Sequence, residues 1–469
     1  MKKTAAPYWV IIAITCLWWL PNMFAKGMFM DGIYDALLAH NLATGISSFW
    51  APQTIYYTQP AYWDNPPLAM YFLSVWYDVL GDYYFVERIY SFSCAICQLL
   101  LIAVAWRTVF QKQNDIRRLF WLPCLLFLIS PLTPWCYANN LLENTMTLFT
   151  TLSVIMFFVY WQTRKNLFLY ASLGGILIFL ACITKGPVGL FPLATPVFFI
   201  RIVDKKEFNN ILAYTVFQVF VFALAFTLAF SMDAPSVFLK NYLEVQLLPV
   251  LKHQSAASNP HYQIFIDLSL AALPWLAILS VAFVFKPLKS VKNKRQLSVV
   301  FILIAISASF PIALSAKQHK YYLLPSLVFY TLSLAVLLIP LAELVLSKIS
   351  ALAEKVVQGL SAAAILIAIA WCFVNTGSYS RDKELLTDIE SIQPWVKNEK
   401  VIRADWSLFD AWAMRAYLNR LYDQKLCMPD EAAPAGFYMT ELNSWGDKLP
   451  ENSQKVYAGK TFDLYQLPE

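Results

Sequence analysis

Charge is what this sequence has least of. Only 14% of its 469 residues are Asp, Glu, Lys or Arg, and 59% are hydrophobic. A soluble globular chain carries about 25% charged residues, so a soluble body is excluded and a polytopic membrane protein is required. The net charge of +6 is spread over loops rather than gathered on one face, which speaks against nucleic acid as a partner. A Walker-type loop, a GxGxxG turn, an internal repeat and a low-complexity tract are all absent. Of eight cysteines, seven fall within apolar runs and only Cys427 lies in polar sequence. Cys94 and Cys97 have CxxC spacing but no second pair or nearby His, so ordinary small apolar packing accounts for them and no metal site is expected.

What is present is a succession of apolar runs. A span needs about 20 mostly apolar residues. Eleven candidates lie near 8–25, 85–106, 119–137, 144–162, 166–184, 187–203, 211–231, 263–285, 297–315, 321–340 and 356–375. The expected fold class is all-α and polytopic, with about 11–13 transmembrane helices and a small α/β C-terminal domain. Lys2-Lys3 before the first run resembles a signal peptide, but Met23 stands where a small residue would be wanted, so an uncleaved first span is expected. With the N-terminus inside, eighteen Lys and Arg fall on the inner side before residue 376, against seven on the outer side. The positive-inside rule therefore orients the chain N-in and C-out.

The outer segments hold the unusual sequence. Within an expected membrane domain of residues 1–378, two long outer loops cover 26–84 and 232–262. From residue 379 to 469 the composition turns polar and Pro-punctuated. A helix over 383–395, a strand over 400–403, a helix over 408–419 and three short strands predict a small α/β module, too short and motif-poor to be the catalytic unit.

Asp31, in Met30-Asp31-Gly32-Ile33-Tyr34-Asp35, opens a helix that Gly45 closes. It has two readings, helix N-cap and chemistry, and the two are compatible. Glu143 lies at the outer start of the fourth span, where the helix dipole favours a carboxylate. An acid at the hydrocarbon edge is costly unless partnered, so it usually faces a polar cavity. Lys185, Lys317, His319 and Lys320 lie at outer span ends, and Arg88 opens the second span. Snorkelling to the interface is the default for such side chains. Their clustering beside the acids, on a face poor in cations, favours a shared site. Asp64 in the loop end Tyr62-Trp63-Asp64-Asn65-Pro66-Pro67-Leu68, together with Tyr321, His319 and His261, completes the candidate substrate cavity.

Acids and cations around one outer cavity suit transfer from a phosphate-linked donor. The acid takes a proton from an acceptor hydroxyl while cations hold the departing phosphate. Little nucleotide exists outside the cytoplasm, so the activated donor would be lipid-carried.

At these motifs the chain resembles the protein O-mannosyltransferase-like branch of the C-type glycosyltransferases, a branch that includes the bacterial lipid A aminoarabinose transferases. The motifs are the acid in the first outer loop, the Pro-Pro-Leu that ends the loop, Glu-Arg-Ile-Tyr-Ser (87–91), Thr-Lys-Gly-Pro (184–187) and Lys-Tyr-Tyr-Leu-Leu-Pro (320–325). They occur in order over about residues 8–340. The resemblance implies a divided transmembrane cavity, a polyprenyl-phosphate sugar donor, an inverting displacement, and a lipid, protein or glycan acceptor at the periplasmic face of a bacterial inner membrane. It carries the main catalytic acid onto Asp31 and the second acid onto Glu143, and gives Lys185 and the 317–320 cluster a phosphate-facing role; Arg88 is expected among the donor-phosphate contacts with them. It calls for no cofactor and leaves a divalent cation open. Two positions depart from the pattern. Gly32 follows the first acid where many relatives have Glu, and Asn65 stands where the aminoarabinose transferases have Lys, which removes one phosphate contact. The alternatives are a transporter or flippase for a lipid-linked saccharide, which should carry charges deep within its spans, and an accessory subunit, for which Asp31→Asn would be harmless.

Overall fold

In hydrocarbon each backbone N–H and C=O must be satisfied within its own segment, so the apolar runs have to become helices. A computed structural model describes residues 4–53, 62–203, 205–252, 260, 262–285, 292–315, 317–442 and 449–468. Among the described residues eight helices are long and apolar enough to cross a membrane: Val86–Val109, Leu142–Thr163, Leu167–Lys185, Phe208–Ser231, Gln263–Val284, Lys294–Ala313, Lys320–Lys348 and Ala351–Val374. The chain is a multi-pass, mostly helical membrane protein with a small C-terminal sheet, as its composition requires.

Three of the eleven expected spans take other forms, each around proline. The first is a 14-residue helix, Ala6–Trp19, followed by the 3-10 turn Leu20–Asn22. Pro21 ends it, because a proline ring meets the carbonyl four residues back. The span expected over 119–137 is a bent pair, Asn114–Ile129 and Leu132–Ala138, turned by 74°. Ser130, before Pro131, is extended at ψ 124°, the conformation a following proline favours. The span expected over 187–203 begins as a 3-10 helix, Pro187–Ala194, and becomes α-helical only over Thr195–Ile202. Prolines 187, 192 and 196 remove the donors an unbroken α-helix would need.

The chain divides into two units that are discontinuous in sequence. A helical unit holds Met1–Pro21, Trp63–Ala69 and Ser91–Val374; a mixed unit holds Asn22–Tyr62, Met70–Tyr90 and Asn375–Glu469.

In the helical unit, the Leu142–Thr163 helix packs against Leu167–Lys185 and Leu324–Lys348. Its buried face is polar. Asn144 donates to Ser91 Oγ at 2.8 Å, Thr151 Oγ1 accepts from Gln98 at 3.1 Å, and Ser153 donates to the Gly174 carbonyl at 3.1 Å. Side-chain hydrogen bonds of this kind join helices where no hydrophobic difference between lipid and protein can do so.

In the mixed unit, the C-terminal segments form a five-stranded sheet in the order β2-β1-β3-β5-β4. The strands are β1 (Val401–Ala404), β2 (Lys425–Cys427), β3 (Phe437–Glu441), β4 (Gln454–Ala458) and β5 (Phe462–Gln466). β1 runs parallel to β2 and β3, whereas β5 pairs antiparallel with β3 and β4. Four strands follow the helix where three were expected. The Lys383–Val396 helix buries Leu386, Ile389, Ile392 and Val396 on one face, the stripe that helical spacing produces. The Trp412–Tyr422 helix packs along the Met30–Ala43 helix of the same unit.

Candidate active site

The helical unit contains a cavity of 760 Å³, within the range of ligand sites. Two of its charged groups are placed by a helical hairpin. Glu143 lies in the first turn of Leu142–Thr163 and Lys185 is the last residue of the following helix, Leu167–Lys185. Antiparallel helices of similar length bring the start of one and the end of the other to the same level, and each charge is favoured by its helix dipole. Lys185 Nζ lies 3.3 Å from Glu143 Oε1, with Glu143 1% exposed and Lys185 12%.

Gly186 ends that second helix at φ +87°, and a Cβ there would collide with the Tyr242 hydroxyl. Glycine is therefore required both by the left-handed backbone and by the close approach of Tyr242. Lys185 Nζ also lies 5.4 Å from the centre of the Tyr322 ring, within cation–π distance.

Lys317 Nζ donates to Gln246 Oε1 at 3.2 Å, and both line the cavity with Asp64, Asn65, Glu143, Lys185, Tyr242 and Tyr322. Burial pushes the Asp64 carboxyl above its ordinary range, against the opposing pull of Lys317 and Lys185. Apart from Ser307 and Ser315, the rest of the wall is apolar, with Met146, Val188, Leu190, Phe191, Leu193, Leu247, Val250 and Leu314 among its residues. One lining segment, Tyr242–Leu247, is a π-helix, a rare form that is frequent at functional sites.

The expected site residues are thus only partly assembled. Asp64, Glu143, Lys185 and Lys317 line this cavity. Lys320 is exposed and lies 4.0 Å over the Trp135 ring. His319 stacks on Tyr321 with centroids 5.2 Å apart, and Tyr321 is buried against Trp135; the neighbouring tyrosine, Tyr322, is the one that lines the cavity. His261 lies outside the described residues. Tyr242 and Gln246 escaped sequence reasoning. They carry no formal charge, and the sequence holds no signal for the π-helix that presents them.

Asp31 and Arg88 belong to the mixed unit. Asp31 is half-buried in the first turn of Met30–Ala43, whose N-cap is Phe29. The N-cap reading of Asp31 is therefore corrected: the helix starts one residue before Asp31, and its carboxylate occupies a first-turn position instead. Gly45, at φ +74°, does follow the helix end as expected. Arg88 is 7% exposed, donates to the Gly27 carbonyl and to Ser380 Oγ at 2.8 Å, and lines a smaller cavity of 260 Å³ with Lys26, Asp82, Glu87, Tyr417 and Arg420.

Asp82, Glu87 and Arg420 on the wall of that smaller cavity belong to a dense charge network. Arg420, 1% exposed in its side chain, is 2.7 Å from Asp82 and 3.5 Å from Glu87, and donates to the Tyr77 hydroxyl at 3.1 Å. His40, 3% exposed, places one ring nitrogen 3.2 Å from Asp82 and the other 3.0 Å from Asp423. Burial pulls the His40 pKa down, but the bonds with Asp82 and Asp423 carry it above its ordinary value. Among the described residues no group of three or more His, Cys, Asp or Glu is placed to hold a metal ion.

No family model and no curated protein matches the sequence. Solved structures do match the fold. ArnT from Cupriavidus metallidurans in the apo state aligns at TM-score 0.69 and 13% identity, covering 98% of each chain. The same protein bound to undecaprenyl phosphate aligns at TM-score 0.68 and 13% identity, over 98% of this chain and 97% of that one. The oligosaccharyltransferase of Archaeoglobus fulgidus in its apo form aligns at TM-score 0.51 and 12% identity, over 90% of this chain and 64% of that one. The fold of this chain is that of ArnT, matched along nearly the whole length of both chains.

Proposed function

We propose that this chain is a membrane glycosyltransferase that moves a sugar from a polyprenyl-phosphate donor to an acceptor at the outer face of a bacterial inner membrane, with its N-terminus cytoplasmic. The observation that carries the proposal is the cavity with two lysines and two carboxylates at one part of its wall and apolar side chains along the rest. An amphiphile with a phosphate head and an isoprenoid tail matches that division. The fold neighbour ArnT has been crystallised with undecaprenyl phosphate.

In this reading Lys185 and Lys317 meet the donor phosphate. Lys185 exchanges its bond to Glu143 for one to the phosphate, and Glu143 stays beside the reacting centre as the second acid. The acceptor oxygen attacks the anomeric carbon from the face opposite the phosphate. The bond from that carbon to the phosphate oxygen breaks, polyprenyl phosphate leaves with the electron pair, and the acceptor proton passes to the Asp31 carboxylate. The anomeric configuration inverts. Lysines aimed at the developing phosphate charge stabilise the transition state more than the ground state. Asn65, in place of a third cation, speaks against aminoarabinose in particular as the sugar; separately, a hydroxyl acceptor, which must lose a proton, gives the base more to do than the already ionised phosphate of lipid A.

The test uses purified full-length protein with a panel of radiolabelled polyprenyl-phosphate sugars and envelope lipid, protein and glycan acceptors. Asp31→Asn is expected to abolish transfer, and transfer at the wild-type rate by a folded Asp31→Asn protein would overturn the base assignment. Lys185→Ala is expected to weaken donor binding about tenfold, or about 1.4 kcal/mol. Movement of the lipid-linked saccharide across vesicles without transfer would favour a flippase instead.

A further inference from the structure

We propose that the C-terminal module is the positioning element for Asp31, acting mainly through the buried hydroxyl of Tyr417. The inference rests on the proposed role of Asp31 as the base. It assigns a task to a module that has no catalytic motif of its own.

The chain leading into Asp31 is held by its backbone. Gly377 N–H donates to the Phe24 carbonyl at 2.9 Å, Lys26 N–H to the Ser378 carbonyl at 2.7 Å, and Ser380 N–H to the Lys26 carbonyl at 2.8 Å. Lys26 and Tyr379 form a parallel β-bridge. Gly27, at φ +83°, passes so close to Arg381 that a Cβ would collide with that residue's carbonyl oxygen. Lys26 Nζ adds a 2.9 Å bond to Glu390.

The grip then moves to a side chain. Met28 N–H donates to the Tyr417 hydroxyl oxygen at 2.8 Å, three residues before Asp31. The same oxygen lies 2.9 Å from the Met28 carbonyl and 2.9 Å from Asp382 Oδ2, so its single proton serves one of the two acceptors. Tyr417 is 1% exposed. Further along, Trp412 and Tyr34 have ring centroids 5.4 Å apart, and Asp423 meets His40 at 3.0 Å. Residues 412, 417 and 423, on or just after one helix, therefore hold the helix that carries Asp31 at its entry, along its length and near its end.

A catalytic group displaced by about 1 Å can lose about a hundredfold in rate, and such groups are best held by locked, buried neighbours. The attachment immediately upstream of Asp31 is of that kind. Without the Tyr417 hydroxyl the Met28 N–H is left buried without that acceptor, and the backbone three residues before Asp31 loses its buried side-chain anchor.

Tyr417→Phe tests this in the full-length protein. Two readouts are taken: hydrogen–deuterium exchange of residues 29–34, and kcat and KM for transfer from whichever undecaprenyl-phosphate sugar the wild type uses. The expected result is faster exchange over 29–34 and a kcat at least tenfold lower with donor KM unchanged. Tyr438→Phe is the control. It removes another buried hydroxyl of the same module, bonded to Asp405 at 3.0 Å, and should leave both readouts at wild type.

Unchanged exchange and kcat in Tyr417→Phe overturn the proposal, as does an equal effect in Tyr438→Phe, which would mean general loosening. If Tyr417→Phe fails to fold, Asp423→Asn at a half-exposed position loosens the far end of the same contact. It should lower kcat about threefold, and wild-type kcat there is equally fatal. Asp31→Asn separates the two levels. An inactive Asp31→Asn with a normal Tyr417→Phe removes only the positioning role, whereas an active Asp31→Asn removes the base and the positioning role together.

Discussion

The two units put their buried charges to different uses. In the helical unit Glu143 and Lys185 meet at 3.3 Å on the wall of a 760 Å³ cavity. Asp64 and Lys317 line the same space. Lys185 and Lys317 each have a side-chain partner, Glu143 and Gln246, that a ligand can replace. In the mixed unit Arg420 is engaged on several sides at once, by Asp82, Glu87, the Tyr77 hydroxyl and the Tyr83 carbonyl. His40 is bracketed by two carboxylates. Such a network has few partners to spare. Buried charge therefore does not by itself mark a reacting site; charge that borders an opening large enough for a substrate is the better guide.

That contrast can be broken experimentally, and the largest effect is expected in the closed network. Arg420→Leu leaves Glu87 buried without its cation and should destabilise the protein by about 3–5 kcal/mol, read as a fall in the thermal unfolding midpoint in detergent. Adding Glu87→Leu should recover much of that loss, because the uncompensated charge goes with it. If Arg420→Leu unfolds at the wild-type temperature, the network is not holding the fold.

The open pair should behave in the opposite way. Glu143→Gln keeps the side-chain shape and leaves Lys185 beside a cavity that admits water, so the cost to folding should be about 1 kcal/mol. Transfer should nevertheless fall roughly tenfold or more, equivalent to about 1.4 kcal/mol of barrier. A Glu143→Gln protein that unfolds as easily as Arg420→Leu would erase the distinction between the two clusters.

The smallest effect is a pH dependence confined to the mixed unit. The groups facing His40 are Asp82, Asp423, Arg420 and the edge of Tyr77. Despite burial, the carboxylates raise its folded-state pKa. The stabilisation is therefore complete below the unfolded value of about 6.5 and is lost as pH rises through the higher folded value. Asp82 runs the other way. Burial opposes its ionisation, but His40 and Arg420 hold its carboxyl below the ordinary range. Its contribution is present above the unfolded carboxylate pKa and is lost as pH falls through the folded one. Thermal midpoints measured across the pH range should decline above about 6.5 in wild type. The decline should flatten in His40→Gln, and an identical slope in both would remove His40 from the network.

Much of this was legible in the chain. Glu143 and Lys185 could be placed together because they begin and end consecutive antiparallel spans, and the 3.6-residue repeat fixes where each helix end falls. Gly186 and Pro187 announced the helix end beside Lys185. Other positions were not legible. Lys317 and Lys320 are three residues apart, yet one bonds Gln246 at the cavity and the other covers Trp135. Arg88, expected among the donor-phosphate contacts, bonds the Gly27 carbonyl and Ser380. Which way each side chain turned was decided by partners more than 60 residues away.

The membrane class, the helical body, the polar C-terminal α/β module and the chemical types available for a site all follow from the order of residues along the chain. They do so because hydrophobic runs, helix ends and proline breaks are local consequences of backbone hydrogen bonding in an apolar solvent. Folding in three dimensions is what brings Tyr242, Gln246 and Tyr322 to the cavity, joins Arg420 and His40 in one network, and sets Tyr417 against the backbone before Asp31. Those facts depend on distances between residues tens to hundreds of positions apart, and no periodicity in the chain records them.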